Sequence, residues 1–241
     1  MIKLLKQVAG LYRNNFSGSV IAYTDQTNQK LIMLLKKFGS FPLKTGLWGE
    51  SRMAALKQAL KSEKDWFFLI DFDKLLHWLK TESQELLSLL KKTPLADCLV
   101  LGREEKVMAT YPQSWIKTES IINHLAGQII GFQIDITTAT QIINRRAARI
   151  ITRKSVEKSW GACVEFPFLV FQSGLKIAYQ PARGMTWEDP DRFEEEIKKT
   201  GGLNKWQKEK YDTQEEWGKR LKNLSLLWET VERLSPVRKT P

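Results

Sequence analysis

Trp66-Phe67-Phe68-Leu69-Ile70-Asp71-Phe72-Asp73 carries five apolar residues straight into two carboxylates separated by one residue. An apolar run of this length, with no alternation, is the pattern of a strand buried on both faces, as in a parallel sheet covered by helices. Ligands of such sheets bind beyond the carboxyl ends of the strands. Asp71 and Asp73 stand at such an end.

Working outward, strand-like and helix-like segments alternate. Residues 2–15 have helical apolar spacing, and Val20-Ile21-Ala22-Tyr23 reads as a short buried strand. Asn28 to Phe38 returns to a helical period and stops at Gly39; a loop with Pro42, Gly46 and Gly49 leads to a helix opened by Ser51. Beyond the central strand, Thr81-Glu82-Ser83-Gln84 is a capping-box pattern, and Cys98-Leu99-Val100-Leu101 is a second buried strand closed by Gly102-Arg103. Residues 118–151 read as mainly helical with a break at 131–135, and residues 164–171 and 175–179 as strands around a turn at Ser173-Gly174. The expected fold is therefore α/β: a mostly parallel sheet flanked by helices in residues 1–190. Residues 191–241 are richer in charge and form a C-terminal helical extension. Its last helix is capped by Asp212-Thr213, and the residues after Ser235 are expected to fray.

The 241 residues are 42% apolar, enough for a sizeable core, and no apolar run approaches the length of a membrane span. The N-terminal residues lack the pattern of a signal peptide, so a cytoplasmic location is expected. Cys98 and Cys163 lie in apolar segments without the companions zinc requires, and read as buried thiols. The net charge of +11 favours anionic partners, among them nucleotides, nucleic acid or an acidic membrane surface. Peripheral membrane contact stays open on this ground. The nine tryptophans fall mostly at helical spacing without a basic-aromatic cluster, which disfavours nucleic acid.

Asp71 and Asp73 can both reach one divalent cation, and Mg²⁺ or Mn²⁺ prefers carboxylate oxygens with substrate phosphates completing the shell. Taken alone, Asp-x-Asp is a weak motif. The order of segments is more informative: Gly49-Glu50-Ser51-Arg52-Met53-Ala54-Ala55-Leu56, then the strand into Asp71-Phe72-Asp73, then Ala96-Asp97-Cys98-Leu99-Val100-Leu101-Gly102-Arg103. Further on come Gly127 to Arg146, and Trp160 to Pro167 followed by Gly174-Leu175-Lys176-Ile177-Ala178-Tyr179. Over residues 18–190 this succession resembles family 2 and related GT-A glycosyltransferases of the nucleotide-diphospho-sugar transferase superfamily. Members of that family begin with a strand that builds half of the nucleotide pocket; here the chain starts within what would be the following helix.

The resemblance implies a nucleotide-diphospho-sugar donor and transfer of its sugar to an acceptor hydroxyl or phosphate, on a sugar, a polyprenyl phosphate or a small molecule. It implies Asp73 as the main metal ligand, Asp71 near ribose and metal, Asp25 at the nucleotide base, Arg52 on the donor's phosphates or sugar, and Glu165 as the acidic residue near the acceptor. Structural readings stand beside these. Asp25 can cap the helix starting near Asn28, Asp135 can cap the helix before Arg145, and Arg103 can pair with a carboxylate. Glu188 or Asp189 can stand in for a third metal ligand. A non-catalytic GT-A-like module binding a nucleotide, sugar or protein, a nucleotidyltransferase and a nucleic-acid binder are the competing functions.

Overall fold

The computed structural model describes residues 1–16, 18–91 and 96–235. The expected frayed tail, residues 236–241, lies outside them. Two sheets form. Strands β1 (Val20–Tyr23) and β2 (Phe41–Lys44) pair in parallel, with Val20 opposite Phe41. The helix Gln29–Lys37 joins them, and Asn28 caps it by accepting from the Lys30 N–H at 2.9 Å. Strand β2 falls where a loop was expected. Pro42 lacks an N–H, and β2 has a single partner, so the proline sits on an edge strand where its missing donor does no harm.

The second sheet holds β3 (Trp66–Leu69), β4 (Cys98–Arg103), β5 (Thr140–Asn144) and β6 (Ile177–Ala182) in the order β3-β5-β4-β6. Strand β5 runs antiparallel to both β3 and β4, while β4 and β6 are parallel. The α/β class holds, but this sheet is mixed rather than mostly parallel. The difference comes from β5, which lies inside a region that reads as helical. The helix Gln113–Ile130 ends at Gly131 in a left-handed conformation (φ 95°), and Ala139 is left-handed as well (φ 54°). These two positions turn the chain so that Thr140 to Asn144 enters the sheet against its neighbours. At the end of β5, Asn144 rather than Asp135 caps the helix Arg145–Lys154, accepting from the Ala147 N–H at 2.8 Å.

Residues 164–171 form no strand. They belong to the helix Ala162–Gln172, which is buried on every side from Ala162 to Val170 and apolar there except for Glu165. A run without periodicity cannot distinguish a buried strand from a buried helix. Pro167 inside this helix removes the bond to the Cys163 carbonyl. That carbonyl instead faces the Gln141 amide of β5 at 3.5 Å.

Side chains alternate across the second sheet and divide the interior into two cores. Cys98, Val100 and Ile143 face one, with the helices Gln113–Ile130 and Ala162–Gln172. Leu101 and Ile142 face the other, with Trp78, Trp187 and Trp206. The last helix, Gln214–Leu234, closes the first core through Leu227, Val231 and Leu234, while Trp206 and Tyr211 before it close the second. Both cysteines are free and buried, and burial pushes each thiol up to about 12. No helix among the described residues is long and apolar enough to cross a membrane.

Candidate functional site

Strand β3 delivers Asp71 to the N-cap position of the helix Phe72–Thr81, and Asp73 lies in that helix's first turn. Carboxylates there meet the positive end of the helix dipole. Each also meets an arginine. Arg52 Nη1 donates to Asp71 Oδ1 at 2.8 Å, and Arg192 Nη1 donates to Asp73 Oδ2 at 3.0 Å. The two pairs differ in character. Arg52 is buried, its Nη2 donates to the Ala139 carbonyl, and its guanidinium lies 4.7 Å from the Trp48 ring, which stacks on Trp160 at 4.5 Å. Burial lowers the Arg52 pKa from its usual value, and the charge of Asp71 opposes that fall. The pair at Asp73 is open: the Arg192 side chain is 42% exposed and shared with Asp189.

Lys74 adds a third cation. It is buried, and its Nζ donates to the Thr138 carbonyl at 3.1 Å. Glu188 stands nearby, accepting from the Tyr111 hydroxyl at 3.3 Å. Burial raises the Glu188 pKa, Lys74 pulls it back, and Asp73 and Asp189 push it further up. His77 and Lys80 close the far side on Asp191, both at 2.7 Å, and the second His77 nitrogen meets the Thr186 hydroxyl at 2.6 Å. The site is a charged cluster in which acids and bases nearly balance.

Arg52 and Asp71 are thus brought together, with Asp73 in the adjoining helical turn on Arg192. Asp25 is not with them. It is exposed, caps no helix and pairs with Lys44 at 2.6 Å. Glu165 departs from its expected role as well. Its side chain is fully buried and accepts from the Ser155 hydroxyl, the Val156 and Glu157 N–H groups and Arg233 Nη1. A carboxylate holding four donors anchors the loop 155–157 to the last helix and has no opening towards an acceptor. Glu165→Gln, which sets an amide N–H₂ against those donors, is expected to lower unfolding stability by about 2 kcal/mol in urea titrations.

The sequence left Lys74, Arg192, Asp191 and His77 out of the site. Their signal was the acidic run Glu188-Asp189-Pro190-Asp191, whose Asp191 meets His77 and Lys80 more than a hundred residues earlier. Arg103 does pair with carboxylates, as one reading held. It binds Asp135 through its main-chain N–H, Nε and Nη2, and Glu119 through Nη2.

No family profile, curated protein or solved structure matches this chain.

For a metal the site's chemistry is specific. Among the described residues no group of three or more His, Cys, Asp or Glu side chains is arranged to hold an ion. Two carboxylates suffice only for a cation that keeps waters and shares a substrate's phosphates. Among the described residues no hydrogen bond reaches Asp71 Oδ2, while Asp73 accepts from the Lys74 N–H at 3.0 Å and from the partly exposed Arg192.

Proposed function

We propose that this chain binds a nucleotide-diphospho-sugar at the end of β3 and transfers the sugar to an acceptor hydroxyl or phosphate, in the manner of GT-A glycosyltransferases. The observation that carries the reading is the unequal pair of carboxylates. One is pinned by a buried arginine, and the other is held by an exposed arginine that can change partner. Asp71 and Asp73 would hold Mg²⁺ or Mn²⁺ arriving with the donor, and that ion would offset charge on the diphosphate as it leaves.

The protein's own groups do the rest. Arg52, fixed by Asp71, Trp48 and the Ala139 carbonyl, keeps the Asp71 carboxylate in one orientation. Arg192 exchanges Asp73 for a diphosphate oxygen, a planar fork suited to that anion. Glu188, partly exposed and bonded through its side chain only to the Tyr111 hydroxyl among the described residues, is a better candidate than the fully buried Glu165 to take the acceptor's proton.

The test is thermal. UDP or GDP with Mn²⁺ at a hundredfold excess over Kd stabilises by about 2.7 kcal/mol, a rise of roughly 5–10 °C for a chain of this size. Asp73→Ala is expected to abolish the rise. An unchanged melting temperature across a panel of nucleotides and their sugars would sink the proposal.

A second reading, a non-catalytic nucleotide- or sugar-binding module, is favoured by the sequestration of Glu165 and by the arginines already neutralising both aspartates. It predicts the same thermal shift with no release of nucleoside diphosphate from a sugar donor.

A further inference from the structure

We infer that the cleft between the helix Gln113–Ile130, the turn that follows it and β6 is a second ligand site, one that takes a neutral, polyhydroxylated ring of the carbohydrate class. The cleft has a volume of about 1110 Å³, at the upper end of small-molecule sites. Arg103 and Asp135 form its floor, and Tyr179 forms one wall. The Tyr179 ring lies directly over Gly102. A Cβ at Gly102 would fall 2.3 Å from the ring and 2.7 Å from the Asp135 Cβ, so glycine is what lets the tyrosine close down on the floor.

The charge balance excludes an anion. Arg103 spends its guanidinium on Asp135, Glu119 and Thr137, and Asp135 is filled by Arg103 and Asn123. Glu105, a lining carboxylate with no ion pair among the described residues, repels an anion as well, and the other unspent groups are chiefly amides and a phenol. Among the described residues the side chains of Gln113 and Gln133 and the hydroxyl of Tyr179 make no hydrogen bond, while His124 and Gln128 bond only each other at 3.1 Å. Burial pushes the Tyr179 hydroxyl up to about 12, so it stays a donor at neutral pH.

Apolar surface is interleaved with these groups. Met108, Ile116 and Ile134 line the cleft, and Phe132 is 39% exposed at its rim, presented by the left-handed Gly131. Amides and a phenol that both donate and accept, set beside apolar and aromatic faces, match the alternating hydroxyls and C–H faces of a sugar ring. The inference stands apart from the nucleotide reading, because these groups lie outside the Asp71–Asp73 cluster.

Saturation-transfer NMR with glucose, mannose, maltose and sucrose as probes tests it. Transfer to ring protons of at least one sugar is expected. It should vanish in Ser120→Trp, which fills the cleft from an exposed helix position, and weaken about fivefold in Tyr179→Phe, which keeps the ring and removes the hydroxyl. Asp73→Ala should leave it intact. No transfer with any of the four sugars would overturn the inference, as would transfer undiminished in both cleft variants, loss of transfer in Asp73→Ala, or displacement of the sugar by inorganic phosphate.

Discussion

Arg103→Met is expected to lower unfolding stability by about 3–5 kcal/mol at neutral pH, because it strands buried carboxylates without their counter-charge. Arg103 is 6% exposed and touches Asp135 through three donors. Methionine keeps much of the volume and supplies none of the charge. Burial by itself would raise the Asp135 pKa, but the Arg103 charge and hydrogen bonds, with Asn123, hold it below the usual carboxylate value. A depressed folded pKa contributes stability that is present above the unfolded value, about 3.9, and is lost as pH falls through the lower folded value. In the variant the same carboxyl, buried with no cation, shifts the other way and is stable only when protonated. The gap between wild type and variant should therefore be widest near pH 7 and shrink below about pH 4. Urea titrations across pH read this directly. A constant gap would mean that Arg103 matters through packing alone.

Gly49→Ala should cost about 3 kcal/mol, the upper end for adding one methyl group to a filled site. A Cβ at Gly49 would sit 2.6 Å from the Lys158 carbonyl carbon and from the Ser159 oxygen. Both are backbone atoms, so no rotamer change relieves the overlap. The Gly49 N–H also donates to the Lys158 carbonyl at 3.0 Å, which fixes the approach. Something larger has to move: the first turn of the helix Trp48–Ala59 must separate from the loop before Gly161. That separation pulls Trp48 from Trp160 and shifts Arg52, one turn further along. Loss of the near-ultraviolet circular dichroism of the stacked indoles is expected together with the lower melting temperature. On the proposed function, nucleotide affinity falls as well. An intact indole signal with unchanged stability would show that the loop follows the helix without strain.

Several of these arrangements were legible in the sequence, each for a physical reason. The run Trp66 to Ile70 announced a strand whose end carries Asp71 and Asp73, but β3 is a partly exposed edge strand paired antiparallel with β5, not a parallel strand buried on both faces. The resemblance put Arg52 on the donor's phosphates or sugar, and no local pattern could show its pairing with Asp71, nineteen positions further along the chain. Strand β5 escaped because Thr140 to Asn144 is short and lies between strong helices. The helix Ala162–Gln172 escaped because complete burial erases periodicity. Glu165, which the resemblance set near an acceptor, proved to be held by loop N–H groups and Arg233 rather than facing a substrate. Local pattern carries which groups must be satisfied. It does not carry who satisfies them.

The division of the interior by the second sheet bears on how the molecule comes apart. Strand β4 gives Cys98 and Val100 to one core and Leu101 to the other, and β5 splits Ile142 and Ile143 in the same way. Neither core can loosen without exposing one face of both strands, so the two halves share their most protected amides. In hydrogen–deuterium exchange the N–H groups of β4 and β5 should exchange last and together, at the rate of global unfolding, whichever half is perturbed.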